Sequence, residues 1–227
     1  MSGDTNELLL RAQIVRACLE MTQAGVNQGT SGNISVRFGE GMLITPSGMA
    51  YDRMTPDDIV FMDFEGKRTA REGNIPSSEW RFHLDILRAK PEVGAVVHAH
   101  PTYCTILAIM HMPIPAIHYM IAAAGGNDIP CAPYRQYGTQ ALSDAAVETL
   151  RARRACLLAH HGLIATGPHL ARALWLAIEV ETLARQYHGC LQLGAPPLLC
   201  DAEIDSLLRR WGGYGLRERS ADEASTG

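Results

Sequence analysis

The residues best suited to chemistry sit in Gly94-Ala-Val-Val-His98-Ala-His100-Pro101. The apolar, β-branched lead-in predicts a buried strand, and strand alternation turns imidazoles at i and i+2 to the same face. On a helix that spacing would set them roughly 200° apart, and they could not share a ligand. Pro101 has no N–H and stops strand pairing, so the pair is expected at an open strand end that substrate can reach. Neutral imidazole is a good ligand for zinc, and a catalytic centre needs three protein ligands and an open position. Two satisfied histidines at a strand end are the plain alternative. The metal reading therefore depends on partners.

A third imidazole is available in His160-His161-Gly162, at the end of the apolar run from Ala155. Adjacent strand residues face opposite sides, so only one of the two can join His98 and His100, and periodicity does not say which. Glu79 is the best-placed carboxylate. It is expected in the first turn of a helix opening at Pro76-Ser-Ser, where the helix dipole favours a negative charge. Near a three-histidine metal it would be a fourth ligand, the general base, or both in succession. Ser77 or Ser78 is expected as N-cap, and a helix N-terminus with hydroxyls and free N–H groups binds phosphate readily. The turn Gly29-Thr-Ser-Gly-Asn33 and the pair Ser47-Gly48 add donors. Together the three segments point to a phosphate pocket.

The elements that must position these groups follow from pattern. Helices are expected over residues 5–24, from Pro76 to about Ala89, over 101–110, from Thr139 to Arg153, from Pro168 to about Leu193, and from Asp201 onward. Strands are expected at Ile34–Phe38, Met42–Thr45, Ile59–Phe64, 94–100 and 155–161, with short extended pieces at Ile114–Met120 and Ile129–Pro133. Residues 65–75 read as an exposed loop and 218–227 as a disordered tail. Hairpin-like clustering of the first strands predicts one α/β domain with a mixed or mainly antiparallel sheet. The chain has 227 residues, 47% hydrophobic and 19% charged, enough for one substantial core. Its net charge of −4, without a basic cluster, excludes an electrostatic footprint for nucleic acid. No apolar run reaches a membrane-span length, and the N-terminus lacks the basic start of a secretory signal. Six scattered cysteines without a C-x-x-C pair suit buried thiols of a reducing compartment, so a cytoplasmic protein is expected.

The segments GTSGNISVRF, LITPSG, PSSEWRFH, VVHAHP, IPAIHYMIAAAGGNDIPCAPY, LLAHHGLIA and YGLR together resemble the class II aldolase/adducin family, from about residue 7 to 217. The resemblance implies a single domain over 1–217, its central, mainly antiparallel sheet sandwiched between helical layers. It implies Zn2+ held by His98, His100 and His161, with Glu79 as alternate fourth ligand and base. Gly32, Asn33, Ser47, Gly48, Ser77 and Ser78 would hold the phosphate of a phosphorylated sugar substrate. Tyr119 would be the acid at the aldehyde oxygen, reaching in from a neighbouring subunit of a C4 homotetramer, and Tyr214 would help cover the site. The implied reaction is reversible cleavage of a ketose 1-phosphate to dihydroxyacetone phosphate and an aldehyde through an enediolate. Pentulose-phosphate 4-epimerases, methylthioribulose-1-phosphate dehydratases and non-catalytic adducin-like domains share the fold. The glutamate at position 79 leans away from the epimerases, and the intact ligands lean away from a non-catalytic domain. The chain departs from the family's pattern at Ala99 and at Arg135-Gln136-Tyr137. The latter segment is expected at the aldehyde end, which leaves the phosphate end intact.

Overall fold

The computed structural model describes residues 3–70 and 73–211. Its helices are α1 (Gly3–Gln23), α2 (Trp80–Ala89), α3 (Thr102–Ile109), α4 (Gln140–Thr149), α5 (Leu170–Leu193) and α6 (Asp201–Trp211). Its strands are β1 (Asn33–Phe38), β2 (Gly41–Ile44), β3 (Val60–Asp63), β4 (Arg68–Thr69), β5 (Ala95–Ala99), β6 (Ile114–Pro115), β7 (Asp128–Ile129), β8 (Cys131–Ala132), β9 (Ala155–Leu158) and β10 (Gly162–Gly167). Eight form one sheet in the order β4-β3-β2-β1-β5-β10-β9-β8, and β6 pairs with β7 apart from it. Every pairing is antiparallel except β8 with β9. The expected mixed, mainly antiparallel sheet is present.

Alternation divides the sheet's side chains between two helical layers. Ile34, Val36, Val97, Ala99, Leu163 and Ala165 join the core under α1, α3 and α5. Met42, Ile44, Val96 and Ile164 face the smaller layer of α2 and α4. Asn33 and His98, opposite each other in the β1–β5 register, belong to this second face, where Phe82 of α2 meets the His98 ring edge-on at 5.3 Å. In α1, Ile14, Cys18 and Met21 are buried at helical spacing. Leu8 and Leu9, counted into the same stripe by periodicity, are 55% exposed. Among the described residues no helix is long and apolar enough to cross a membrane.

Several expected boundaries move. The strand expected to run to His161 stops at Leu158, and residues 159–161 form a three-residue hairpin loop with His160 at φ 55°. The return strand β10 was not anticipated, because the apolar run on either side of His160-His161-Gly162 conceals the turn. Residues 68–69 of the expected loop pair with β3. Of Ile114–Met120 only the first two residues pair as a strand, and Tyr119–Ala124 is a 3-10 helix. Its start is fixed by the Met120 N–H donating to His118 Nδ1, and its end by Gly125 at φ 89°. Helix α4 ends at Thr149, four residues early. Neither Ser77 nor Ser78 is the N-cap of α2. Glu79 occupies that position, and its N–H donates to the hydroxyl of Ser77, two residues earlier. The expected disordered tail, 218–227, lies outside the described residues.

Gly162, where β10 begins, touches the site-bearing strand directly. A Cβ there would lie 2.4 Å from the Ala99 carbonyl oxygen and 2.8 Å from the His100 ring. Gly162→Ala is therefore expected to cost about 1–3 kcal/mol through overpacking and to loosen His100. Thermal denaturation with and without added Zn2+ measures both effects, and an unchanged melting temperature would count against this contact.

Candidate metal centre and phosphate pocket

The site lies where three loops meet the end of β5. Residues 30–33 lead into β1, residues 46–48 follow β2, and residues 76–79 precede α2. The Ser77 N–H donates to Thr45 O and the Ser47 N–H to Ile75 O, which holds the last two segments side by side. His98 is inside β5, His100 immediately follows it, and His161 comes from the β9–β10 turn. Pro101 ends the strand as its chemistry requires and takes the position before α3.

The three imidazoles converge. Ring centroids of His98, His100 and His161 are 4.7–4.8 Å apart, and the Nε2 atoms of His98 and His100 are separated by 2.9 Å. Glu79 Oε2 lies 3.0 Å from His98 Nε2, and Oε1 lies 3.2 Å from His161 Nε2. One ligand atom from each of the four residues falls within 4.8 Å of the others. His98 Nδ1 is 2.8 Å from Leu163 O, a carbonyl that can only accept, so the proton sits on Nδ1 and the Nε2 lone pair faces the cluster. Glu79 Oε1 is buried and has no hydrogen-bond partner, with His161 Nε2 3.2 Å away. Such a set of converging lone pairs and an orphaned carboxylate oxygen fits a divalent cation.

The electrostatics agree with the geometry. Burial opposes ionisation of Glu79, but the charge and hydrogen bonds that His98 and His161 bring when protonated outweigh it and hold the carboxyl well below the usual carboxylate range; with neutral rings, a cation in the cluster would take that part. Burial, with the neighbouring His98 and His161, pushes the His100 imidazole down to about 3, and burial lowers His161 as well. His100 and His161 are therefore neutral at neutral pH, with Glu79 charged. Metal ligation needs these forms.

A cavity of about 380 Å3 opens in front of the cluster. Gly32, Asn33, Ser47, Gly48, Ser77 and Ser78 all line it, together with Glu79, His100 and His161, while His98 is fully buried behind. Arg135 and Tyr137 line it too, with Tyr134 and His160; Gln136 does not. Ala99 faces the α3–α5 core on the other side of the sheet. Tyr119 is 41% exposed and does not line this cavity. Tyr214 lies outside the described residues. Periodicity left His160 open as the alternative third ligand; it stands exposed at the cavity, outside the imidazole–carboxylate cluster, with its Nε2 2.8 Å from that of His111. His111 and His160 are the non-glycine residues at positive φ among the described residues, a turn geometry that alternation could not reveal.

Residues 12–188 match the model of the class II aldolase and adducin N-terminal domain. The chain belongs to this family. It is 53% identical over 209 residues to the L-fuculose phosphate aldolase of Escherichia coli strain K12, covering 92% of this chain and 96% of that protein. It is 50% identical over 210 residues to the 5-methylthioribulose-1-phosphate/5-deoxyribulose-1-phosphate aldolase of Rhodospirillum rubrum, covering 92% and 94%. Among solved structures, an L-fuculose 1-phosphate aldolase superposes with a TM-score of 0.86 at 36% identity, over 89% of this chain and 95% of that one.

Removing a ligand tests the centre. The purified protein is expected to hold about one divalent cation per chain in a site of this type, and His161→Ala to lose most of it on dialysis against a chelator. Metal analysis of His160→Ala serves as the control. Retention in His161→Ala with loss in His160→Ala would move the ligand role to His160.

Proposed function

We propose that this chain is a Zn2+-dependent aldolase that reversibly cleaves a ketose 1-phosphate, L-fuculose 1-phosphate, into dihydroxyacetone phosphate and L-lactaldehyde. The observation that carries the reading is one cavity shared by a carboxylate–triple-imidazole cluster and three loops rich in N–H and hydroxyl donors. Imidazole nitrogens with one carboxylate oxygen suit Zn2+. His98, His100, His161 and Glu79 would hold the ion, which would supply a Lewis acid for the C2 carbonyl and the charge left on the three-carbon fragment.

The protein's own groups do the rest. Gly32, Asn33, Ser47, Gly48, Ser77 and Ser78 bind the 1-phosphate, and this remote binding energy sets C3 and C4 in place. In the cleavage direction Tyr119 loses its proton to solvent, and its phenolate oxygen takes the C4 hydroxyl proton as the C3–C4 bond breaks. The bonding pair passes to the three-carbon fragment, and Glu79, released from the ligand set and protonated from solvent, delivers that proton to C3. In the reverse direction Glu79 is the base at that carbon and Tyr119 the acid at the aldehyde oxygen, a fitting role for a phenol of reference pKa about 10. Among the described residues no lysine lines the cavity, so no Schiff-base nucleophile competes for the carbonyl. We assign the aldehyde end to Tyr134, Arg135 and Tyr137. We assign Tyr214 a part in covering the substrate. The six unpaired cysteines suit the cytoplasm.

The similarity to the Rhodospirillum aldolase favours a second reading, in which C3–C4 cleavage is the same and the released aldehyde is a two-carbon one, with or without a methylthio group. Product analysis separates the two. Incubation with L-fuculose 1-phosphate, 5-deoxyribulose 1-phosphate and 5-methylthioribulose 1-phosphate is expected to yield dihydroxyacetone phosphate, with the first cleaved at the highest kcat/KM and its unphosphorylated form hardly at all. Loss of water from the ketose, or epimerisation without cleavage, would replace the aldolase by a dehydratase or epimerase.

Tyr119, exposed and outside its own chain's cavity, serves the neighbouring subunit of a homotetramer in this reading. Tyr119→Phe and Glu79→Gln are each expected to lower kcat by about 10²–10⁴-fold, the usual effect of a missing acid or base. Mixing the two after dissociation and reassembly should restore part of the activity, because some sites then combine an intact glutamate with an intact tyrosine. Hybrids that form yet stay inactive would mean that each site is built within one chain.

A further inference from the structure

His83, in the first turn of α2, is an imidazole with no exposed surface, lodged between the helix and the sheet. A buried polar ring needs partners at both nitrogens. His83 has them: Ser35 Oγ lies 2.8 Å from Nδ1, and Asn33 Oδ1 lies 2.5 Å from Nε2. Asn33 Nδ2 in turn lies 3.0 Å from Glu79 Oε2. Ser35, Asn33 and Glu79 are themselves buried. The four groups form a single chain of hydrogen bonds from the middle of β1 to the carboxylate of the metal centre.

The chemistry of the groups fixes the direction of every link. An ionised carboxylate only accepts, so Asn33 must present its NH2 to Glu79. Its carbonyl oxygen then faces His83, which must donate from Nε2. Burial, then the nearby His98, pushes the His83 imidazole down to about 3, so the ring is neutral and carries one N–H. Nδ1 is therefore bare and accepts the Ser35 hydroxyl proton. Links polarised in one direction strengthen one another. A flipped Asn33 amide would turn its oxygen on the carboxylate, and His83 prevents this by holding the carbonyl end. Ser35 and Asn33 stand at i and i+2 on one face of β1, and Asn33 is paired with His98 in β5, so the chain is anchored in the sheet that carries the ligands.

We infer that His83 is a positioning residue for the aldol reaction: by donating Nε2–H to Asn33 it locks that amide with its NH2 toward Glu79, and so fixes the carboxylate that moves the proton at C3. The inference rests on the base role of Glu79 proposed above. A merely structural imidazole would affect folding and leave turnover alone.

The test compares His83→Leu, which keeps volume and removes both hydrogen bonds, with His83→Gln, whose Nε2 can donate where the ring did. His83→Leu is expected to lose about 10–100-fold in kcat, the range typical of outer-shell partners, with KM and zinc content little changed. His83→Gln is expected to recover most of the loss. A His83→Leu protein that turns over like wild type, or a His83→Gln protein no better than it, would overturn the proposal. Should His83→Leu fail to fold, 15N NMR of the zinc-loaded wild type still decides the matter. An Nε2–H tautomer of His83 is expected, and an Nδ1–H tautomer overturns the relay. A wild type that cleaves no ketose 1-phosphate would instead overturn the functional reading, and the proposal with it, whatever the tautomer.

Discussion

The His98 Nδ1–H bond to the Leu163 carbonyl, 2.8 Å long, joins β5 to β10 by a side chain as well as by the ladder between them. It costs the ring one nitrogen and so commits the other, Nε2, to the cluster as a lone pair. Everything around the site depends on that commitment. The Phe82 ring edge packs against the imidazole, His100 and His161 bring further lone pairs to meet it, and Glu79 supplies the negative charge that an ion there would need. Buried groups that all offer electron pairs repel unless a cation joins them. The fold therefore spends its stability on holding the arrangement open from outside, through the large core on the opposite face of the sheet.

The sheet separates the two tasks by alternation. In β5, Ala95, Val97 and Ala99 go to the main core, and Val96 and His98 to the side of α2 and α4. Ala99 illustrates the economy of this: although it stands between two candidate ligands in sequence, its side chain points away from them. Ala99 thus contributes to core packing under α3 and α5, whereas Arg135 and Tyr137 meet the cavity itself.

What could be read from sequence had a fixed period. The histidines at 98 and 100 were legible because strand alternation and the stop at Pro101 are short-range rules. The serine-rich and glycine-rich segments could be brought to one place from sequence, because each offers backbone N–H groups or hydroxyls near a helix start, and the structure gathers them around one cavity. The choice between His160 and His161 was not, because it is made by a three-residue turn with a left-handed residue, hidden inside an apolar run. Resemblance pointed to His161, and the structure brings its Nε2 beside Glu79. The role inferred for His83 was equally hidden. An imidazole in a helix pattern reads as polar surface, and only the packing of α2 over one face of β1 puts Asn33 and Ser35 beneath it.

The eight-stranded sheet ends at each side in a strand of two residues, Arg68–Thr69 at one edge and Cys131–Ala132 at the other. A row of unpaired backbone groups that short gives another strand almost nothing to add to, and Arg68 and Thr69 carry polar side chains on an exposed edge. Sheet continuation from one copy to the next is thereby discouraged at both borders. Copies of this chain that associate must do so through helices and loops, where contact can be closed and finite, and the concentrated enzyme is guarded against the strand-by-strand growth that leads to fibres.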